Sequence, residues 1–530
     1  MWTIWNGDYT MMYRNLAAIL LVSTIMLCAT ERSWADARNT VITILHTNDL
    51  HGYVMPRGEI GGLARIATLI RQIRSDMPNV LLLDAGDIIH GSMEDYLSGG
   101  IATITAMNAV DYQVVAFGNH DLDLGQTIAK NAIAAARFPF LAANMHDANG
   151  CRWDGVSPCH ILVVDGVRVG VFGLASLETG TLHWPSMMCG IVIDDPIQTA
   201  QTLVPELKAK CDVLIALSHL GAAEDAILAE QVPGIDFIVG GHSHNAILDW
   251  RWVGNTLVTQ AGAYGRALGR IDFVITNDDT GVHITSVNGK NGTWNDPAKA
   301  PLGKVYPELP LIPIDNSIAE DEAVRAAYMP FREKADKKLA EVIGNSQQAL
   351  PGRSAGAFES SAGDFVADAV RSTANSDIAV IDDVGSVSKN GLPAGVLNLG
   401  SAYGLISGFT RQEIVACQMS ACDLTKALNS DFAKKKSINL AISGASLKCK
   451  SVGSVPVISQ ICIDGEPVDP CRMVTVASQS YVMMDMMAVV PGITVVSEPT
   501  STTTREAIAQ YITKLCEVVP VACDRIICEQ

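Results

Sequence analysis

The chain has 530 residues, 48% of them apolar and 18% charged, with 44 Gly and 22 Pro. That length favours two or more domains with sizeable cores, and that composition excludes disordered, collagen-like and coiled-coil classes. The formal charge is −18 and no Lys/Arg-rich run offsets it. A surface that tracks a nucleic-acid polymer is therefore not expected, and any anion handled here needs metal ions or a local basic pocket.

Residues 1–35 read as an export signal. Arg14 precedes an apolar stretch from Leu16 to Thr30, and Ser33-Trp34-Ala35 supplies a small-x-small cleavage pattern, so the mature chain is expected to begin near Asp36, in the periplasm or outside the cell. Met1 to Thr10 carries no basic residue and is foreign to such a signal, which points to translation starting at Met11 or Met12. No later run reaches the ~18 apolar residues of a membrane helix, so no stable membrane span is expected. Cys28 follows Leu27 rather than a small residue and is not read as a lipoprotein anchor. Removing the leader leaves twelve cysteines. An even number in an exported chain reads as disulfides, with the pairing left open.

From Val41 to about Val287, short aliphatic runs alternate with helical patterns and end in polar, Gly-containing loops. Val41 to Leu45, Val80 to Leu83, Val114 to Phe117, Val167 to Leu174, Val213 to Leu217 and Phe237 to Val239 are such runs. This is α/β layering, with sites expected at strand ends. Between Gly289 and Pro313 the chain turns Gly-, Asn- and Pro-rich and reads as an extended, exposed connector. A charged helix follows, roughly Glu320 to Val342, stopped by Gly344 and kinked or interrupted by Pro330. The remainder, 346–530, reads as a second α/β or α+β unit opening with the amphipathic helix SSAGDFVADAVR. Met483, Met484, Met486 and Met487 read as core packing rather than a soft-metal site.

Five segments of the first half place Asp, Asn or His directly after an apolar strand. They are T-N-D-L-H (Asp49, His51), D-A-G-D (Asp87), G-N-H-D-L-D (Asn119, His120, Asp123), S-H-L-G (His219) and G-G-H-S-H (His242, His244). A lone His at a strand end is more often structural than a ligand, but five such segments in one domain reverse that reading. Imidazole and carboxylate donors without thiolate suit Mn, Zn, Fe or Co. The candidates outnumber what one ion needs, and two ions sharing a carboxylate suit phosphoryl displacement. His90 reads as a supporting or surface residue, and His46, His146, His160 and His183 carry no assignment.

These motifs, in this order, resemble the calcineurin-like metallophosphoesterases, specifically the secreted 5′-nucleotidase/UDP-sugar hydrolase/2′,3′-cyclic phosphodiesterase family. The resemblance covers most of the mature chain and includes Gly61 to Arg65, Asn144 and Val258 to Arg266. It implies a four-layer α/β/β/α metallophosphoesterase domain over 39–288, a linker and connecting helix over 289–345, and a 5′-nucleotidase-like α/β (α+β) substrate-recognition domain over 346–530. It further implies that Asp49, His51 and His244 hold one divalent ion, that Asp87 bridges, and that Asn119, His219 and His242 hold the other. His120 and Asp123 become a catalytic dyad, Asp123 orienting the imidazole, with a metal-bound water as nucleophile and a small phosphate ester, a nucleotide, as substrate.

The second half departs from the family pattern. Where relatives carry an Asn-Gly-Gly-x-Arg-like loop, this chain reads Asp382-Asp383-Val384-Gly385-Ser386-Val387. Two carboxylates replace a neutral turn, and Val387 takes the place of the Arg, with Arg411 as a substitute cation. The base-sandwiching aromatics fall near Asn439 and in Asp485 to Val489, with Tyr403, Phe409 or Tyr481 as replacements. The reading is an exported dinuclear phosphoesterase, most similar to 5′-nucleotidases. Alternatives are a two-metal hydrolase of another anion, a cyclic nucleotide, UDP-sugar or thiosulfate adduct, and a non-catalytic binding protein on the same fold.

Overall fold

The computed structural model describes residues 38–279, 281–290, 294, 300–304, 306–408, 413–499 and 502–529. The export signal, Cys28, Phe409 and Arg411 lie outside the described residues. Among the described residues no helix is long and apolar enough to cross a membrane.

Period-two alternation builds the first domain. In the strand Arg38–Thr47, Ile42 and Ile44 face one apolar cluster while Val41 and Leu45 face another. Val213–His219 divides likewise, Val213, Ile215 and Leu217 inward and Leu214 and Ala216 outward. Strands buried on both faces must be apolar throughout, which is why these runs are nearly unbroken in sequence. Two sheets result. One has eight strands, running from Gly281–Val287 through Ala267–Asp278, Arg38–Thr47, Val80–Asp84 and Val114–Ala116 to Val156–Ser157. The other has six, ordered Arg251–Val253, Thr256–Gln260, Phe237–Gly240, Val213–His219, Val167–Ala175, Cys159–Val164. Their inner faces share one core, and helices cover both outer faces, giving the expected four layers. Arg38–Thr47, Val80–Asp84 and Val114–Ala116 are parallel, as are Val213–His219 and Phe237–Gly240, so their carboxyl ends open on one side.

The Gly-, Asn- and Pro-rich stretch is more packed than an exposed connector. Trp294, Ala300, Tyr306 and Ile314 are buried in the first-domain core, and Leu311–Pro313 adds a strand to Ala267–Asp278. A few apolar anchors among polar residues suffice to fasten such a segment, and composition averages them away. The following helix, Glu322–Leu339, carries Pro330 inside it and buries Val324 and Tyr328 in that same core.

The second domain centres on a five-stranded sheet ordered Leu440–Ser443, Ile378–Asp382, Met473–Gln479, Ile414–Ser420, Thr494–Ser497. The predicted amphipathic helix is Ser361–Ala374, N-capped by Ser360, whose hydroxyl accepts from the Gly363 N–H. Met483 and Met486 are buried in the core, with Met484 and Met487 packed against it, as the sequence suggested.

No disulfide joins cysteines among the described residues. All twelve cysteines among the described residues are free thiols. Cys462 lies in register with Ser446, and Cys449 with Cys528 across parallel strands.

Asp364 lies in the first turn of Ser361–Ala374, fully buried, and neither carboxylate oxygen has a hydrogen-bond partner. Burial pushes its carboxyl up to about 8 from 3.8, against the opposing pull of Arg525. An acid whose folded pKa is raised destabilises the fold increasingly as pH climbs from its ordinary value to the raised one, and constantly above that. Asp364→Asn is therefore expected to raise the thermal midpoint by several degrees, and by more at about pH 8 than at about pH 5. Denaturation followed at both pH values checks this, and an equal or absent gain contradicts it.

Candidate active site

The carboxyl ends of the parallel strands carry the candidate residues. Asp49 and His51 follow Arg38–Thr47, Asp87 follows Val80–Asp84, Asn119 and His120 follow Val114–Ala116, His219 ends Val213–His219, and His242 and His244 follow Phe237–Gly240. The loops turn sharply to bring these groups inward. Asp49, His51, Asp87, His242 and His244 all have positive φ, between 46° and 73°. Non-glycine residues rarely adopt this conformation, and a concentration of them marks a site whose geometry the surrounding fold enforces.

Two clusters result. The donor atoms of Asp49, His51 and His244 lie within 4.8 Å of one another, as do those of Asp87, His219 and His242. Asn119 joins the second, its Oδ1 lying 2.8 Å from His242 Nδ1 and 3.2 Å from His219 Nε2. Asp87 Oδ2 lies 3.1 Å from His219 Nε2 and 3.8 Å from His51 Nε2, between the two groups.

The donor set fits divalent cations. His51 Nε2 and His244 Nε2 face each other at 3.1 Å, an arrangement a shared ion resolves. Asp87 Oδ2 and Asn119 Nδ2 are buried without a hydrogen-bond partner. The outer ring nitrogens are occupied. His219 Nδ1 lies 2.6 Å from Ala85 O, His51 Nδ1 3.3 Å from His90 O and His242 Nε2 3.0 Å from Glu178. Acceptors there hold the proton on the outer nitrogen and leave the inner lone pair for a ligand bond. Burial opposes charge on both groups, pushing the Asp49 carboxyl up and the His51 imidazole down to about 3. Burial also works against charge on Asp87, yet His219 and His120 hold its carboxyl below the usual range.

Backbone supports fix the clusters. The Asp121 carboxylate accepts from the N–H groups of Ile88, Ile89 and Gly118 at 2.8 to 3.2 Å, tying the Asp87 loop to the Asn119 loop. A Cβ on Gly118 would lie 2.2 Å from both the backbone nitrogen and Oδ1 of Asp87, so only glycine permits this approach. Gln260, within the V-T-Q-A-G-A-Y-G-R stretch, donates to Gly241 O and accepts from the Asn245 N–H, which sets the His242 loop.

His120 and Asp123 meet as expected, Nδ1 to Oδ2 at 2.7 Å. His120 stands beside His51, ring centroids 5.4 Å apart. Burial opposes its charge, but Asp123 and Asp87 raise it to about 9. Two histidines left outside the sequence reading of the dyad also reach Asp123: His90 Nδ1 at 2.7 Å and His183 Nε2 at 2.9 Å.

Cations stand at the rim. Tyr264 packs against His51 and His244, Arg266 lies over Tyr264 at 5.4 Å, and Arg57 lies over the neighbouring Tyr53 at 3.9 Å. In the second domain a groove of about 450 Å³ is lined by Arg353, Phe358, Asp383, Lys389 and Asn439. Arg353 lies 3.7 Å from Asp383, whose other contact is the Ser360 hydroxyl at 2.7 Å. Asp382 accepts from the Tyr481 hydroxyl at 3.0 Å. Val387 is buried, whereas Phe358 is nearly half exposed. Asp121, Arg57 and Arg353 escaped sequence reading. The Asp-Leu-Asp doublet was the available signal for Asp121, and nothing local singled out the two arginines.

Residues 42–246 match the family model described as calcineurin-like phosphoesterase, and residues 342–488 match 5′-nucleotidase, C-terminal domain. A 5′-nucleotidase of Vibrio cholerae is 30% identical over 419 residues, 70% of this chain and 73% of that protein. The chain belongs to the 5′-nucleotidase family. A trifunctional nucleotide phosphoesterase protein of Bacillus subtilis is 28% identical over 408 residues, 69% of this chain but 26% of that protein, so the chain spans about a quarter of its length. The fold of a 5′-nucleotidase precursor from Thermus thermophilus superposes with a TM-score of 0.65 at 24% identity, covering 92% of this chain and 99% of that one.

In such a two-cluster site, metal should behave as a ligand of the folded state. Adding Mn or Zn to chelator-treated protein is expected to raise its stability, by about 2.7 kcal/mol at a hundredfold excess over Kd. Asp87→Asn should lose most of that gain. Calorimetric midpoints with and without metal check this, and a midpoint indifferent to metal in the unsubstituted chain contradicts it.

Proposed function

We propose that the chain is an exported, 5′-nucleotidase-like hydrolase that removes phosphate from nucleoside monophosphates using two divalent ions. The observation that carries this reading is the pair of donor clusters meeting at Asp87, with His120 on Asp123 beside them. Asp49, His51 and His244 would hold one ion, Asn119, His219 and His242 the other, and Asp87 both. Histidine and carboxylate donors without thiolate favour Mn, Zn, Fe or Co. When bound, such ions act as Lewis acids on phosphoryl oxygens and lower the pKa of the attacking water.

The chain's own residues supply the rest. Asp123 fixes the His120 ring by its Nδ1, leaving Nε2 to donate to the phosphoryl group or to the leaving oxygen. Arg57 and Arg266 at the rim add positive charge for an incoming phosphate. In the second-domain groove Phe358 offers a ring for a base and Arg353 a cation, in place of the family's loop Arg. A first domain over 39–288 and a second over 346–530 follow the same reading, with the connecting segment 289–345 packed on the first.

Purified protein with Mn or Zn is expected to release phosphate from AMP and from p-nitrophenyl phosphate. His120→Asn should lower kcat by about 10²–10⁴-fold with metal content unchanged. Phe358→Ala and Arg353→Ala should raise KM for AMP and leave p-nitrophenyl phosphate untouched. Absence of phosphate release across nucleotides in metal-loaded protein would sink the reading.

Export places the thiols in an oxidising compartment. Cys449 and Cys528 are register partners on parallel strands and hydrogen-bond through their side chains. Neighbouring strands lie ~4.8 Å apart, within the Cα range a disulfide spans. Oxidation by an exported dithiol oxidant, two protons and two electrons passing to its disulfide, would link them. A non-reducing peptide map of exported protein is expected to show the 449–528 crosslink, and reduction to cost about 2–4 kcal/mol of stability. Alkylation of both thiols in exported, unreduced protein would contradict it.

A further inference from the structure

The dyad carboxylate is held by more than the dyad. Asp123 Oδ2 receives both His120 Nδ1 and His90 Nδ1 at 2.7 Å, and Oδ1 receives His183 Nε2 at 2.9 Å. His183 Nδ1 faces Thr179 O at 2.9 Å, so both of its ring nitrogens point at acceptors. A ring so placed satisfies both only when it carries both protons. It is therefore a fixed brace rather than a free base.

Each of these two histidines stands at the root of a segment that leaves the first domain. Trp184 directly follows His183 and is 2% exposed, yet the cluster that buries it is built from second-domain residues such as Val415, Met419, Val476 and Met486. Its indole N–H donates to Glu498 at 2.6 Å. On the other side, His90 precedes the helix Met93–Ser98, whose Met93, Tyr96 and Leu97 pack against the other second-domain core. There the Tyr96 hydroxyl lies 2.7 Å from Thr503 Oγ1, and its ring meets Tyr403 edge-on at 5.8 Å. Glu413 of the second domain, hydrogen-bonded by the Ser480 hydroxyl at 2.8 Å, is close enough to feel the charges of Asp123 and His183.

We propose that His90 and His183 are positioning residues through which seating of the second domain sets the orientation of His120. The Trp184 plug and the Met93–Ser98 helix are the two arms that transmit it. When both arms are seated, Asp123 is braced from two sides and can hold the His120 ring in only one direction. With an arm withdrawn, the brace loosens and the imidazole loses its aim. The proposal rests on the reading of His120 and Asp123 as the catalytic dyad. It goes beyond that reading in making turnover depend on an interdomain contact remote from substrate.

The test compares His183→Ala, Trp184→Ala, the double variant and His183→Gln on p-nitrophenyl phosphate, a substrate too small to need the nucleotide groove. Misplacement of a catalytic group by a fraction of an ångström to 1 Å lowers turnover by about 10- to 100-fold. Each single Ala variant is expected to lose kcat in that range, with KM within about twofold and metal content unchanged. The double variant should be no slower than His183→Ala alone, because both act through one contact. His183→Gln, whose amide can still donate to Oδ1, should recover most of the loss.

Hydrogen exchange supplies a readout independent of activity. Amides of residues 119–123 should exchange faster in Trp184→Ala than in the unsubstituted chain, while those of the strand Val167–Ala175 should not. Unsubstituted protein lacking phosphatase activity would overturn the proposed function and leave this exchange result standing. Additive kcat losses, or unchanged exchange at 119–123 in Trp184→Ala, would overturn the brace. If Trp184→Ala fails to fold, Trp184→Phe and Glu498→Ala keep the apolar plug while removing the indole hydrogen bond, and the same changes are expected at smaller size.

Discussion

The centre of the molecule is organised around one carboxylate oxygen. Asp87 Oδ2 is buried without a hydrogen-bond partner and faces imidazoles on both sides, from His219 and from His51. The other oxygen of Asp87 accepts from the His120 N–H at 2.8 Å, but a buried carboxylate oxygen left without a donor is costly to a fold. Everything near it serves to hold that oxygen in place: backbone forced to positive φ at Asp87 itself, Gly118 pressed against it, and Asp121 clamping the loops on either side. Such stored cost is intelligible if the two clusters hold divalent ions, which would satisfy that oxygen and relieve the crowding of histidines.

Holding two clusters at one carboxylate requires two sheets with parallel strands ending at the same level. The four-layer arrangement supplies this, because a single apolar interior fixes both sheets at once. Asp49, Asp87 and Asn119 come from the eight-stranded sheet, and His219, His242 and His244 from the six-stranded one. Neither sheet alone completes a cluster. The candidate centre is thus a consequence of how the sheets pack, and a disturbance of the shared interior would part the ligands without touching any of them.

The metal motifs were legible in sequence because each is a short loop whose residues and strand lie next to each other. The same locality explains the layered fold, since period-two alternation in Ile42, Ile44, Val41 and Leu45 is visible in five residues. What stayed hidden depends on partners far apart in the chain. Trp184 is an ordinary residue in its own segment and becomes a second-domain core residue only through strands more than two hundred positions later. Trp294 and Tyr306 sat in a stretch whose average composition is that of a loop, although their own burial makes it part of the core. Cysteine spacing left any pairing open, and only strand register places Cys449 beside Cys528.

Charge is where the structure most changes the sequence argument. A chain of net charge −18 with two carboxylates in its second-domain loop looked poorly fitted to bind an anion there. In the fold those carboxylates are turned to internal partners. Asp383 is buried against the Ser360 hydroxyl and the Arg353 guanidinium, and Asp382 is engaged by Tyr481. Their negative charge is thereby offset locally rather than presented to a ligand, while Arg57 and Arg266 stand at the rim of the first-domain site. Net charge describes the far field that steers solubility and encounter. Binding of a small anion is decided within a few ångströms, where a handful of guanidinium groups, and any divalent ions held by the two candidate clusters, outweigh a diffuse excess of surface carboxylates screened over a Debye length of about 8 Å.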